Sequence, residues 1–345
     1  MIDCMKRRLL YAASQAYHPQ METVRRSVGW TAPPLVVQRR IELWQQPIDL
    51  ALVGAVPDGV IVAFRGSLPP FFGGRHDGWT VLLDWLNGGL SVCRSDPDYC
   101  GAGVHWGFAE SMARLWNDSD EGPGVKSAVQ TLLDRGARRH LFVTGHSKGG
   151  ALANLAAYRA ARLAGWRDMP ISVATIAAAR AGNAAFAKAY AAERIACLRY
   201  ELPGDPIPHL PIGPASPRWA RQLARQVWPG LADSDYHSVG ERVAPADGGG
   251  VNPRDWRTAL AGLNLARRTP SAIASHAICP DSGYDRLICL GETGCTHGAA
   301  PPPPRRHDRE GTRSTVPARW REHRRRSEPP ELPEPGRERR TSRLS

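Results

Sequence analysis

The sequence predicts an α/β fold: a central, mostly parallel sheet with helices on both faces. Three features carry this reading: short apolar runs of strand length, segments with helical apolar spacing, and the alternation of the two along residues 47–202. Pro47 to Val56 (PIDLALVGAV) and Val60 to Arg65 (VIVAFR) read as strands joined by the turn Pro57-Asp58-Gly59. Phe108, Met112, Leu115 and Trp116 recur at helical spacing within 105–118. Val125, Val129, Leu132 and Leu133 repeat that pattern, and Gly136 ends the second helix. Arg139 to Thr144, with LFVT at its heart, has the length of a buried strand. After GHSKGG, the residues Leu152, Leu155, Ala156, Ala160 and Leu163 mark one helix face. Ile171 to Ile176, Ala184 to Ala192 and Leu198 to Leu202 continue as strand, helix and strand. Residues 212–235 and 250–275 read as helical or loop insertions.

The 345 residues are 42% apolar and 23% charged, which excludes a fibrous or wholly disordered chain. A core of this size needs no disulfide or metal staple. No apolar run reaches the roughly eighteen residues of a spanning helix. The start, MIDCMKRRLLYAASQAYH, is basic, but its apolar stretch is too short for a secretory signal. A cytoplasmic location is therefore the default expectation, and non-classical export would leave no trace here.

The net charge is +12, and residues 301–345 hold 13 Arg against 7 acidic residues, which is +6 of it. That tail is rich in Pro and nearly lacks aliphatic side chains, so burial cannot offset the entropy of ordering. The expected organisation is one domain over 1–298 and a disordered Pro/Arg-rich tail over 299–345. Only 4 of the 45 basic residues are Lys. So uniform a bias reads as coding preference rather than a phosphate-binding face, and no nucleic-acid partner is expected. The seven Cys are Cys4, Cys93, Cys100, Cys197, Cys279, Cys289 and Cys295, with no CxxC pair or zinc-site spacing. Cys93 with Cys100, or Cys279 with Cys289 or Cys295, are spaced to close small loops. An odd count without a signal peptide predicts free thiols.

Gly145-His146-Ser147-Lys148-Gly149 has the form G-x-S-x-G. The pattern alone is common, but here it lies between a predicted buried strand and a predicted helix, where a nucleophile elbow belongs. Such a serine needs a base, and the base needs a carboxylate to fix its tautomer. Downstream acids are Asp205, Asp233, Asp235, Asp281 and Asp285. Asp205 stands out because its turn, Pro203-Gly204-Asp205-Pro206, follows a predicted strand and so shares a rim with Ser147. Among the histidines, His209 is too close to Asp205 in sequence and His297 borders the tail. Spacing alone does not choose between His237 and His276.

Five segments together resemble the class 3 (fungal-type) lipase family of α/β-hydrolases, in the family's order. They are VAFRGS (62–67), VHWGF (104–108), VTGHSKGGA (143–151), TIAAARAGNAAF (175–186) and RYELPGDPIPHLP (199–211). The resemblance implies an α/β-hydrolase fold with Ser147 as nucleophile and Asp205 as the orienting acid. It also implies His276 as the base, with Tyr284 eight residues on. The family usually closes that gap more tightly, and His237 in DYHSVG looks like a non-catalytic family histidine; it stands as the alternative base. The oxyanion hole would use the backbone N–H groups of Ser67 and Lys148, each such donor accounting for about 3–4 kcal/mol of the barrier. Leucine often stands at the Lys148 position, so its ammonium reads either as solvated or as a charge beside the site. The family has a lid between Leu68 and Gly103, where Phe71, Phe72, Trp79, Leu82, Leu83, Trp85 and Leu86 are spaced by glycines. Arg65 and Asp84 read as packing or ion-pair residues.

The implied activity is hydrolysis of lipid esters through an acyl-enzyme, with a lipid ester as substrate and transient contact with a lipid or membrane surface. No metal or organic cofactor is implied. Phospholipase or short-chain esterase activity is the near alternative. A non-catalytic lipid- or partner-binding protein of the same fold is the alternative of another class.

Overall fold

The strand pair read from residues 47–65 lies at the heart of the observed sheet. The computed structural model describes residues 4–20, 26–41, 44–67, 93–202, 205–216, 218, 221–222, 235–245, 276, 278 and 283–289. Its first elements are α1 (Met5–Gln15), β1 (Leu35–Ile41), β2 (Trp44–Val56), β3 (Gly59–Phe64), β4 (Cys93–Ser95) and β5 (Gly103–His105). Next come α2 (Trp106–Trp116), α3 (Val125–Asp134), β6 (Leu141–His146), α4 (Lys148–Arg162) and β7 (Ile171–Ile176). The last are β8 (Gly182–Asn183), α5 (Ala184–Ala192), β9 (Ile195–Tyr200), β10 (Tyr236–His237), β11 (Glu241–Val243) and α6 (Gly283–Cys289).

The main sheet has seven strands in the order β1-β2-β3-β6-β7-β9-β11. It is antiparallel from β1 to β3 and parallel from β3 to β11. A mostly parallel sheet covered by helices on both faces is the α/β architecture the sequence predicts. Alternate residues of each strand serve opposite faces. Val60, Val62 and Phe64 of β3 pack with Phe108, Met112, Val129 and Leu155 of α2, α3 and α4. Ile61 and Ala63 pack on the other face with Leu9, Leu10 and Ala13 of α1 and Leu287 and Ile288 of α6. Both faces are covered, so every residue of β3 and β6 is buried and their sequences read as continuous apolar runs. Each fully buried Val, Leu, Ile or Phe contributes about 1.5–3 kcal/mol.

β7 and α5 occupy the residues predicted for them. β9 starts at Ile195 rather than Leu198, because its parallel ladder with β7 already begins at the Ile171–Ile195 pair. Three features escaped the sequence reading. α1 carries Arg7 and Arg8 on a buried surface, where Arg7 pairs with Asp285 at 3.2 Å and Arg8 with Asp58 at 3.3 Å. β1 carries the buried Arg39, whose guanidinium donates to the carbonyls of Arg114, Asn117, Gly122 and Pro123. The third is a small antiparallel sheet, β10-β8-β5-β4, whose strands of two or three residues are too short to show a period.

Several expectations fall outside the described residues: the apolar part of the expected lid (68–92), most of both insertions, Asp84, Asp233, Asp281, His297 and the tail. The remainder of the expected lid, Cys93 to Gly103, is β4, a turn at Pro97–Tyr99 and the start of β5. Cys93 and Cys100 are both free thiols, so the loop-closing pair Cys93–Cys100 is not formed.

Candidate active site

β3, β6 and β9 run parallel and end on one rim, leading to Ser67, Ser147 and Asp205. Such a rim, at the carboxyl ends of the strands, is where an open α/β sheet leaves a crevice. Ser147 joins β6 to α4 with φ 59° and ψ −125°, a conformation that costs a non-glycine residue about 1–3 kcal/mol. The elbow is held on both sides. The Ser147 N–H donates to the Ile176 carbonyl at 3.0 Å, and its own carbonyl accepts from Gly150 at 3.0 Å and Ala179 at 3.3 Å.

The two motif glycines are required by close approach. A Cβ on Gly145 would lie 2.1 Å from the Gly149 carbonyl oxygen, and one on Gly149 would lie 2.2 Å from that of Phe64. Gly66 is equally confined: its Cβ would sit 3.2 Å from the Ser147 Cβ and 2.6 Å from the His146 carbonyl oxygen. The end of β3, with Ser67, is thereby pressed against the elbow. Lys148 opens α4, where first-turn N–H groups have no carbonyl partner within the helix.

Of the two histidines left open by spacing, His276 meets the acid. Its Nδ1 lies 2.8 Å from Asp205 Oδ2, and both side chains are buried. The same Oδ2 accepts from the Tyr284 hydroxyl at 2.6 Å, and Oδ1 accepts from the Ile207 N–H at 2.9 Å. Tyr284 in turn accepts from the Leu202 N–H at 3.2 Å. The eight-residue step from His276 to Tyr284 thus still returns the phenol to the acid, with α6 carrying it. His237 is elsewhere: it sits on β10 of the small sheet, 3.0 Å from Asp235, with its side chain about one-third exposed. The buried Ser147 Oγ makes no hydrogen bond. Ser147 is nevertheless adjacent to the histidine segment, since the ring of its neighbour His146 lies 2.8 Å from the His276 carbonyl oxygen through Nε2.

The family model for class 3 lipases matches residues 62–214, from β3 through the turn that follows Asp205. Over these residues the chain is similar to the class 3 lipase family. A lipase of Caenorhabditis elegans is 31% identical over 163 residues, covering 46% of this chain and 40% of that protein. The secreted mono- and diacylglycerol lipase 1 of Fusarium solani is 34% identical over 155 residues, covering 44% and 39%. The chain thus spans about two fifths of the length of these curated relatives. Among solved structures, the Rhizomucor miehei lipase propeptide complex superposes with a TM-score of 0.47 at 20% identity, covering 69% of this chain and 67% of that one.

Lys148, within the matched residues, departs from the expectation of a solvated side chain. It is buried and donates to Asp49 Oδ1 at 2.8 Å on β2. Arg114 of α2 donates to Asp49 Oδ2 at 2.8 Å. Burial alone would raise the Asp49 pKa, but the Lys148 and Arg114 charges outweigh it and hold the carboxyl below its ordinary value. A depressed folded-state pKa stabilises the fold fully above the ordinary carboxylate range. That stability is lost as the pH falls through the lowered value. Lys148→Met is expected to cost about 3 kcal/mol, the low end for breaking a buried pair because Arg114 remains. Urea unfolding at neutral pH measures this. The acid-unfolding midpoint should also move to higher pH, since Asp49 then protonates more readily.

Two further residues at the site had no signal in the sequence. His146, the second residue of the motif, has its Nδ1 2.8 Å from the hydroxyl of Tyr17, which follows α1. Burial first, and the adjacent His276 second, hold the His146 pKa well below its ordinary value, so the ring is neutral. Tyr17, Asp49, His276 and Tyr284 all lie outside the family match. Among the described residues, no group of three or more His, Cys, Asp or Glu side chains is arranged to hold a metal ion.

Proposed function

We propose that this chain is a serine carboxylester hydrolase acting on lipid esters, with Ser147 as nucleophile, His276 as general base and Asp205 as the acid that orients it. The observation that carries this reading is the buried His276–Asp205 pair, 2.8 Å apart, beside a strained serine at the strand-to-helix turn. Ser147 Oγ attacks the acyl carbon and passes its proton to His276 Nε2. The tetrahedral oxyanion is stabilised by the backbone N–H groups of Ser67 and Lys148. Collapse expels the alcohol, which takes the proton from His276, and leaves an acyl-serine. Water, deprotonated by the same imidazole, then releases the acid and restores the enzyme. The Ser147 Oγ makes no hydrogen bond here. In this reading its bond to His276 forms when substrate arrives, since catalytic hydrogen bonds often align only in the substrate complex.

Acylglycerols are the substrate class in this reading, supported by the family match and by the mono- and diacylglycerol lipase name of the Fusarium relative. That relative is also named as secreted, which counts against the cytoplasmic expectation for this chain. No described helix is long and apolar enough to cross a membrane.

A serine-directed alkyl phosphonate tests the reading. It should label wild type and fail to label Ser147→Ala. His276→Ala should lose labelling and turnover, while His237→Ala, altering a residue of the small sheet, should keep both within about twofold. Loss of turnover in His237→Ala with retention in His276→Ala would overturn the assignment of the base.

A further inference from the structure

We propose that Tyr17 is a positioning residue whose hydroxyl ties the oxyanion strand, the nucleophile elbow and the catalytic histidine into one hydrogen-bonded unit. This inference rests on the hydrolase reading above. The polarity of the bonds can be worked out from one end. The His276 backbone carbonyl is an acceptor only, so His146 Nε2, 2.8 Å away, must carry the proton. His146 is neutral, so its Nδ1 is then an acceptor, and the Tyr17 hydroxyl at 2.8 Å must donate to it. Desolvation pushes the Tyr17 phenol well above its ordinary range, which keeps that proton in place. The Tyr17 oxygen is left as an acceptor, and the N–H of Gly66, the residue before Ser67, faces it.

The fit at that end is tight. A Cβ on Gly66 would lie 2.0 Å from the Tyr17 oxygen, so only glycine lets the strand end come this close. The ring of His146 also lies against that of His276, centroids 4.4 Å apart, and edge-on to Tyr17 at 5.7 Å. One side chain from the end of α1 therefore touches the segment bearing Ser67 and the residue before Ser147. Through His146 it also fixes the backbone that carries the His276 ring. Asp205 holds that ring directly, at Nδ1. With the acid at the ring and the relay at the backbone, His276 is held at two points, and the second depends on Tyr17.

Tyr17→Phe deletes the hydroxyl and keeps the ring. With a soluble short-chain p-nitrophenyl ester, kcat should fall about tenfold while KM stays within about twofold, since alignment rather than binding is lost. Unchanged kcat in the folded variant would overturn the proposal. Imidazole ¹⁵N NMR gives an arm independent of turnover. His146 of the wild-type chain should hold a single neutral Nε2–H tautomer across about pH 5–8, and Tyr17→Phe should release it to a mixture. A wild-type proton on Nδ1, or an unaltered tautomer in the variant, would overturn the relay whatever the kinetics. The hydrolase reading fails separately, when wild type and Ser147→Ala hydrolyse esters at the same rate. The NMR arm alone then decides the role of Tyr17.

Discussion

Ser147→Ala is expected to lower kcat for ester hydrolysis by about 10⁶-fold, leaving only the residual rate that oxyanion donors and binding provide. In the proposed mechanism the size of the effect follows from the way the nucleophile and base act as a unit: without the hydroxyl, His276 would have no proton to move and no acyl-enzyme would form. The same substitution should leave stability nearly unchanged. The Ser147 Oγ is buried and makes no hydrogen bond, so its removal strands no partner. The elbow keeps its backbone bonds to Ile176, Gly150 and Ala179. Steady-state kinetics and thermal melting on the same sample check both halves. A variant that retains more than about one-hundredth of wild-type turnover would point to another nucleophile.

Asp205→Asn should reduce kcat about 10⁴-fold through a change of tautomer rather than a loss of shape. Oδ1 accepts from the Ile207 N–H and Oδ2 receives both His276 Nδ1 and the Tyr284 hydroxyl, so the carboxylate acts only as an acceptor. In the amide, the oxygen stays with the Ile207 N–H and the NH₂ replaces Oδ2. Facing a donor, His276 Nδ1 must become the acceptor, and its proton moves to Nε2. The lone pair that would take the serine proton is then gone. Tyr284 can rotate its hydroxyl to accept, so the fold tolerates the change. The expected signature is a large kcat loss with phosphonate labelling slowed in parallel and melting shifted by only a few degrees, roughly 1 kcal/mol. Equal turnover in Asp205→Asn and wild type would remove Asp205 from the mechanism.

The contrast between His276 and His237 shows how far the sequence reaches. Both follow the acid in chain order, and both lie in segments without strong periodicity. What separates them is the path of the backbone. One returns to the buried carboxylate of Asp205, and the other pairs with Asp235 two residues away in the small sheet. Tyr284 could be named from the family pattern despite its unusual distance, because a helix of seven residues brings it back.

The α/β order, the elbow and the acid-bearing turn were legible because each depends on residues close in sequence. Alternating burial leaves apolar runs on β3 and β6, and a tight strand-to-helix turn leaves glycines at 145 and 149. Only the tertiary structure decided which groups meet across the sheet. The ammonium of Lys148 lies against Asp49, Arg7 against Asp285 and Tyr17 against His146, pairs separated by 99, 278 and 129 positions. A charge or a phenol looks the same in the sequence whether it faces water or a buried partner. Local propensity governs the first group of features, and desolvation with long-range pairing governs the second.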